Sequence, residues 1–82
     1  MSYTINILRC AHTELSRLPA EAYEPIRDGI RALAGDPIPS GSEKLPERAG
    51  WRLQIGHYRV IYELDSSRRE VTVVHVGRRS DV

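Results

Sequence analysis

The strictest alternation of apolar and polar residues in this chain lies between Trp51 and Ile55. Trp51, Leu53 and Ile55 are apolar, whereas Arg52 and Gln54 between them are polar. Side chains alternate between the two faces of a β-strand. The pattern therefore predicts a strand that turns one face to the core and the other face away from it.

A second strand is predicted over residues 58–64, directly after the dipeptide Gly56-His57. Two residues suffice for a hairpin turn when the first is glycine, because glycine adopts the positive φ that this position requires. The two strands are thus expected to form a hairpin with one continuous apolar face. The members of that face are Trp51, Leu53, Ile55, Tyr58, Val60 and Tyr62.

The turn also predicts which residues of the hairpin lie opposite each other. If Ile55 pairs with Tyr58, then Gln54 lies opposite Arg59, and Arg52 lies two residues further from the turn. Directly opposite residues share a face at a separation of about 5 Å. We therefore expect Arg52, Gln54 and Arg59 to form one polar patch on the face away from the apolar layer.

A third strand is predicted over residues 70–76, after a turn at residues 65–69. This stretch carries β-branched residues on both faces. A strand with apolar residues on both faces is typical of the interior of a sheet.

The N-terminal half predicts one strand followed by two helices. Residues 3–8 have a strand pattern, and residues 11–18 and 21–34 have apolar residues at helical spacing. Pro25 suits only the first turn of a helix, so the second helix is expected to become regular near residues 22–24. Residues 36–41 (DPIPSG) form a loop by composition, and residues 42–49 are polar apart from Leu45.

Length and charge restrict the function classes. With 82 residues, the chain is expected to form one domain, residues 1–82. The net charge is only +1, which by itself does not indicate a nucleic-acid-binding protein. Residues 1–43 carry a net charge of −2 and residues 44–82 a net charge of +3, and eleven of the twelve cations are arginines. Arginine is suited to forked contacts with phosphate, although a solvated basic face would have the same composition.

Several other chemistries have little support in the sequence. Cys10 is the only cysteine, so an internal disulfide is impossible and a reducing cytosol fits. His12, His57 and His75 lack the spacing of metal ligands, and we expect neither a metal nor a cofactor. The sequence shows no apolar run of membrane-spanning length and no signal peptide, so the protein is expected to be cytoplasmic.

Two motifs carry a resemblance to a known family. The runs GWRLQIGHYRVIYELD and VTVVHVGRRSDV, with the spacing between them, resemble the RelE/ParE superfamily of toxins, and within it the RelE-like mRNA interferases of type II toxin–antitoxin systems. The resemblance covers nearly the whole chain. It implies an α+β fold of order β-α-α-β-β-β, a twisted antiparallel sheet with two antiparallel helices packed on one side.

The resemblance also implies an activity and partners. Such a toxin is a ribosome-dependent endoribonuclease that cleaves mRNA in the ribosomal A site by attack of the ribose 2′-hydroxyl, without a metal. A cognate antitoxin protein neutralises the toxin, and operator DNA is bound only through the antitoxin. The expected partners are therefore the antitoxin, mRNA and the ribosome.

The resemblance assigns catalytic roles to three arginines. Arg59 matches the arginine that stabilises the phosphate, and Arg79 matches a second catalytic arginine proposed to assist the leaving group. Arg52 matches a position, often Lys, implicated as base or charge stabiliser. Arginine is a poor base because it stays protonated, so a stabilising role is expected here.

Three further residues are expected to bind RNA. Arg78 matches a basic position, and Gln54 matches a strand position that is often Lys, so its charge is missing here. The family commonly continues beyond Val82 to a tyrosine that stacks on a base, and the printed sequence does not show that residue. His57 at the hairpin tip could exchange protons instead, although an exposed turn residue is the simpler interpretation. Glu63 is another possible base, or an ion-pair partner.

Two other functions stay open at this point. ParE-like toxins that inhibit DNA gyrase share the fold but lack the nuclease patch, and the neutral Gln54 favours them. A catalytically degenerate toxin would act only as an antitoxin-binding module. Mapping of RNA and DNA cleavage would distinguish the three.

Overall fold

The computed structural model describes residues 2–46 and 49–80. Its helices are α1 (Arg9–Ser16) and α2 (Ala20–Ala32). Its strands are β1 (Thr4–Ile7), β2 (Ser42–Lys44), β3 (Gly50–Ile55), β4 (Tyr58–Asp65) and β5 (Glu70–Arg78). The predicted succession of a strand, two helices and three long strands is confirmed, and the fold class is α+β.

The strands form one five-stranded sheet in the order β1-β5-β4-β3-β2. The antiparallel arrangement predicted for the sheet is present from β2 to β5, whereas β1 pairs with β5 in parallel. The sheet is therefore mixed. Hairpin turns force β3, β4 and β5 to alternate in direction, but two helices connect β1 to the remaining strands and impose no such alternation.

The short strand β2 has no counterpart in the sequence prediction. Its three residues, Ser-Glu-Lys, carry no apolar alternation, and the strand exists because its backbone pairs with β3 at the edge of the sheet. Helix α2 also begins earlier than predicted, at Ala20, and accommodates Pro25 within the helix. A proline there removes one backbone hydrogen bond, which the packing of the helix offsets.

The core lies between the two helices and one face of the sheet. The apolar spacing of the second helix predicts one stripe of Tyr23, Ile26, Ile30 and Leu33. Helix α2 buries Ile26 and Ile30, Leu33 directly after the helix is fully buried, and Tyr23 is partly buried against the core. The other buried members are Ala11, Leu15, Leu53, Val60, Tyr62, Val71, Val73 and Val76. The apolar face predicted for the hairpin is thus confirmed, with Trp51, Ile55 and Tyr58 partly buried against this core.

Strand β5 is interior, as predicted, and it contains a β-bulge. Ile61 pairs with His75, but the next residue of β4, Tyr62, pairs with Val73, so Val74 has no partner in the register. An extra residue shifts the alternation of side chains by one. For this reason Val73 and Val76, three residues apart, can both face the core, with exposures of 0% and 2%.

One end of β5 lacks a neighbouring strand. Strand β1 pairs only with residues 70–73 of β5, and the backbone N–H of Leu8 donates to Val73 O at 3.0 Å. The chain then turns into α1, which packs beside β5. Residues 74–78 of β5 therefore have β4 on one side and α1 on the other.

None of the helices in the described part of the chain is both long and apolar enough to span a membrane.

Candidate functional site

The register of the sheet fixes which side chains face away from the helices. Leu53, Val60 and Val76 lie opposite one another on β3, β4 and β5, and they are at most 5% exposed. The adjacent row must then face the other way. We call the sheet face opposite the helices the outer face.

Gln54, Arg59 and Gly77 form the row of the outer face next to this buried row. Gln54 lies directly opposite Arg59, which confirms the predicted register. Arg59 is half-buried and its Nε atom is shielded from solvent. On the β5 side it faces Gly77, which has no side chain of its own.

The following row of the outer face holds Glu43, Arg52, Ile61 and His75. The Nη2 atom of Arg52 lies 2.8 Å from Oε2 of Glu43, on the neighbouring strand β2. The arginine therefore lies two residues from Gln54, as predicted, but an adjacent carboxylate partly neutralises its charge. Since β2 was not predicted, this pairing was not foreseen either.

Arg79 continues the β4–β5 ladder by one residue. Its backbone N–H donates to His57 O at 2.8 Å. Alternation from Gly77 places Arg79 on the outer face, as a diagonal neighbour of Arg59, and diagonal neighbours across a pair of strands are roughly 7–8 Å apart. Arg79 and His57 are both exposed, and Gly56 in the turn before His57 has the predicted positive φ, 62°.

Arg78 lies on the other side of the sheet. Its partner in the register is Tyr58, which belongs to the helix-facing side. Arg78 lines a cavity of about 530 Å³ together with Glu14, Arg17 and Tyr58. The structure thus brings Arg52, Gln54, Arg59 and Arg79 to one face and separates Arg78 from them, although Arg78 and Arg79 are adjacent in sequence.

Glu63, which was predicted from the sequence as a possible base, lies on the outer face as well. Glu63 is opposite Gly50 on β3 and Thr72 on β5, four residues from Arg59 along the same strand. The outer face therefore carries carboxylates at its β2 and β4 positions as well as arginines. A face of this kind can hold a phosphate between guanidinium groups and can also accept a proton.

No cluster of three or more His, Cys, Asp or Glu side chains suitable for a metal ion occurs within residues 2–46 and 49–80.

One functional candidate was not found from the sequence. Glu14 on α1 contacts both the ring of His75 and the backbone of Val76, whereas the sequence alone indicated a role for neither Glu14 nor His75. The two side chains are 61 residues apart. No local pattern connects them, so only the packing of α1 against β5 could reveal the contact.

The family model described as "ParE toxin of type II toxin-antitoxin system, parDE" matches residues 7–82. Among curated protein sequences, none matches this chain.

Solved structures show the same fold. The archaeal RelE–RelB complex from Pyrococcus horikoshii matches with a TM-score of 0.87 and 23% identity, over 100% of both chains. The RelBE2 toxin–antitoxin complex from Mycobacterium tuberculosis matches with a TM-score of 0.85 and 21% identity, over 96% of this chain and 100% of the other. A YoeB/ParE toxin from Agrobacterium tumefaciens matches with a TM-score of 0.78 and 19% identity, over 93% of this chain and 98% of the other.

Proposed function

This chain belongs to the ParE toxin family of type II toxin–antitoxin systems, and we propose that it acts on RNA, as a ribosome-dependent endoribonuclease that cleaves mRNA in the A site. The proposal is supported by the register of β4 and β5, in which Gly77 lies opposite Arg59 and Arg79 follows Gly77 by two residues. Strand alternation from Gly77 then puts both arginines on the outer face. Two arginines on opposite faces could not contact one ribose-phosphate linkage.

The outer face suits the chemistry of RNA cleavage. The ribose 2′-oxygen forms a bond to the adjacent phosphorus, the bond to the 5′-oxygen breaks, and negative charge grows on the phosphoryl oxygens. Arg59 stabilises this charge, and its effect is strengthened because its Nε atom is shielded from water, which would otherwise screen the interaction. Arg79 stabilises the departing 5′-oxygen. Arg52 adds positive potential, which its contact with Glu43 reduces.

Two protons must also move during the reaction. The proton of the 2′-hydroxyl passes to a base, and the 5′-oxygen gains one. His57 and Glu63 are the two candidates for the base, since a neutral imidazole or a carboxylate can accept a proton. His57 lies two residues before Arg59 in the hairpin, and Glu63 lies four residues after it on β4. Gln54 hydrogen-bonds RNA next to Arg59, and Arg78 binds RNA backbone from the other side of the sheet.

A ParE-like inhibitor of DNA gyrase is the second candidate function. Two observations favour it: the matching family is that of ParE toxins, and the outer face has a neutral Gln54 and a paired Arg52. A protein that acts only by binding gyrase has no need of a catalytic arginine pair. A toxin without either activity, acting only as an antitoxin-binding module, is the third outcome.

The proposed protein partner is a cognate antitoxin. The matched RelE toxins from Pyrococcus horikoshii and Mycobacterium tuberculosis were solved as complexes with their antitoxins. We propose that the antitoxin of this chain covers it in the cytoplasm, and that operator DNA is bound only through the antitoxin.

The function is tested with purified protein and programmed ribosomes. Primer extension maps cuts within codons of the mRNA, and a parallel reaction with gyrase measures double-strand breaks in DNA. We expect codon-dependent RNA cuts, and Arg59→Ala is expected to slow cleavage by about 10²–10³-fold, the usual effect of losing one transition-state donor. Arg68→Ala, at an exposed turn, is the matched control.

Each outcome identifies one function. DNA breaks without RNA cuts would identify the protein as a gyrase inhibitor. The absence of both RNA cuts and DNA breaks would identify it as an antitoxin-binding module. Equal cleavage by the Arg59→Ala and Arg68→Ala variants would contradict the assignment of the site. Circular dichroism of each variant confirms that the fold is retained.

A further inference from the structure

The C-terminal end of β5, residues 74–78, has different neighbours on its two sides. On one side, Arg59 pairs with Gly77, Tyr58 with Arg78, and the N–H of Arg79 donates to His57 O at 2.8 Å. On the other side, the pairing with β1 ends at Val73. The segment that carries Arg79 therefore extends beyond the end of β1, which pairs only with residues 70–73 of β5.

Glu14 occupies the place that the missing strand leaves. Its Oε1 atom accepts a hydrogen bond from the backbone N–H of Val76 at 3.0 Å. Val76 is buried, so without this carboxylate its N–H would lose an acceptor away from solvent. A buried donor without an acceptor is unfavourable.

The same carboxylate also contacts the ring of His75. The Nδ1 atom of His75 lies 2.8 Å from Oε1 and 2.7 Å from Oε2 of Glu14. A carboxylate accepts hydrogen bonds and does not donate them. When Glu14 is ionised, Nδ1 of His75 is the donor in this contact. The ring of His75 and the backbone of β5 are thus both joined to α1 through one side chain.

We propose that Glu14 is a positioning residue: by holding His75 and Val76, it fixes the end of β5 and so sets Arg79 relative to Arg59. This inference rests on the proposed cleavage of RNA. Arg79 is three residues beyond Val76, and a displacement of about 1 Å at a catalytic group can slow a reaction by roughly 10²-fold.

The charges around Glu14 make this role testable. The polar and charged residues that line the same cavity as Glu14 are Arg17 directly after α1, Tyr58 on β4, and His75 and Arg78 on β5. Removing the carboxylate would leave this groove more positive. Electrostatics alone would then strengthen the binding of RNA, whereas loss of positioning would slow the chemical step. The two effects have opposite directions and appear in different kinetic quantities.

The experiment compares Glu14→Ala and Glu14→Gln with the wild type. Glutamine keeps an oxygen that can accept from Val76 N–H, so it is expected to restore what alanine removes. For Glu14→Ala we expect a single-turnover cleavage rate about 10- to 100-fold lower at saturating toxin, with a half-saturating concentration equal to that of the wild type or lower. Glu21→Ala, which removes an exposed carboxylate from α2, is the matched control and is expected to cleave normally.

Two measurements do not depend on activity. Nitrogen-15 NMR of the imidazole reports which nitrogen of His75 carries the proton, and we expect protonated Nδ1 only where residue 14 accepts a hydrogen bond. Hydrogen exchange of the Val76 amide is expected to be at least about 10-fold faster in Glu14→Ala and near normal in Glu14→Gln. A general loss of stability would instead accelerate exchange in all the core strands.

The outcomes separate this inference from the proposed function. If the wild type cleaves RNA and Glu14→Ala cleaves it at the same rate, the positioning role of Glu14 is overturned. A wild-type chain that cleaves no RNA would overturn the proposed function and the catalytic consequence together. Faster exchange at Val76 would then still support the anchoring of β5 by Glu14, and unchanged exchange would overturn it.

Discussion

Gln54 and Arg59 lie directly opposite each other on the outer face of the β3–β4 hairpin. A second cation opposite Arg59 would repel it, and like charges at such positions are destabilising. The glutamine avoids this repulsion, and its Nε2 atom donates to Gly56 O at 3.3 Å, next to the turn. The neutral residue therefore favours the stability of the hairpin over positive potential for a phosphate ligand.

Gln54→Lys is expected to reverse this balance. The free energy of unfolding should fall by about 0.2–1 kcal/mol because of repulsion with Arg59, as measured by urea denaturation. Binding of single-stranded RNA should become stronger, and the slope of log K against log salt should steepen by about 0.7. Ser66→Lys, at an exposed position in the β4–β5 turn, is the control. It should change the free energy of unfolding and the binding of RNA less than Gln54→Lys does.

Glu43→Gln is expected to increase the effective charge of Arg52. The ion pair between them is exposed on the Glu43 side, so its loss should lower stability by less than about 1 kcal/mol. RNA binding, measured by fluorescence anisotropy, should strengthen. Glu24→Gln breaks a pair with Arg27 on α2, away from the outer face, and should leave RNA binding unchanged. Equal effects of the two substitutions would mean that only net charge matters.

Tyr62 links stability to alkaline pH. Its side chain is fully buried and its hydroxyl donates to Pro37 O at 2.7 Å. Burial raises the pKa of Tyr62 above its ordinary value of 10.0, more than the nearby Ser42 hydroxyl lowers it. At a pH above 10.0, Tyr62 loses its hydroxyl proton in the unfolded chain but keeps it in the folded chain. The free energy of unfolding therefore falls as the pH rises.

Tyr62→Phe should reduce this dependence on pH. Near neutral pH the variant loses about 0.5–1.5 kcal/mol for the missing hydrogen bond. Its stability should then decline less than that of the wild type between about pH 9 and pH 11, as measured by denaturation at each pH. Tyr23→Phe, at a half-buried surface tyrosine, is the comparison. An equal decline in the wild type and Tyr62→Phe would contradict the prediction.

Gly56→Ala should weaken the hairpin that presents His57. Gly56 has φ 62°, and an added Cβ would meet nothing within 4 Å, so the effect is one of backbone conformation alone. The expected loss is about 1–2 kcal/mol, the penalty of a left-handed conformation for an L-residue. Gly35→Ala also meets no neighbour and lies outside the left-handed region. Urea denaturation should therefore show little loss for Gly35→Ala, and equal losses would refute the explanation.

Local patterns in the sequence predicted much of the fold. Alternation in β3 and the Gly56 turn were enough to place Gln54 opposite Arg59, because a two-residue turn fixes the register of the strands it joins. The helical stripe of α2 predicted the burial of Ile26 and Ile30 and the partial burial of Tyr23 against the core. In each case the interacting residues are close in sequence, so periodicity and turn geometry determine their relative positions.

Contacts between distant segments were decided only by the tertiary structure. The sequence does not show the parallel pairing of β1 or the strand β2, and so it could not reveal that Glu43 neutralises Arg52. It also could not show the bulge at Val74. Nor could it show that Glu14 accepts the hydrogen bond of Val76 N–H at the part of β5 that β1 does not reach. These features depend on how the helices pack on the sheet, because residues far apart in sequence meet only when the whole core forms.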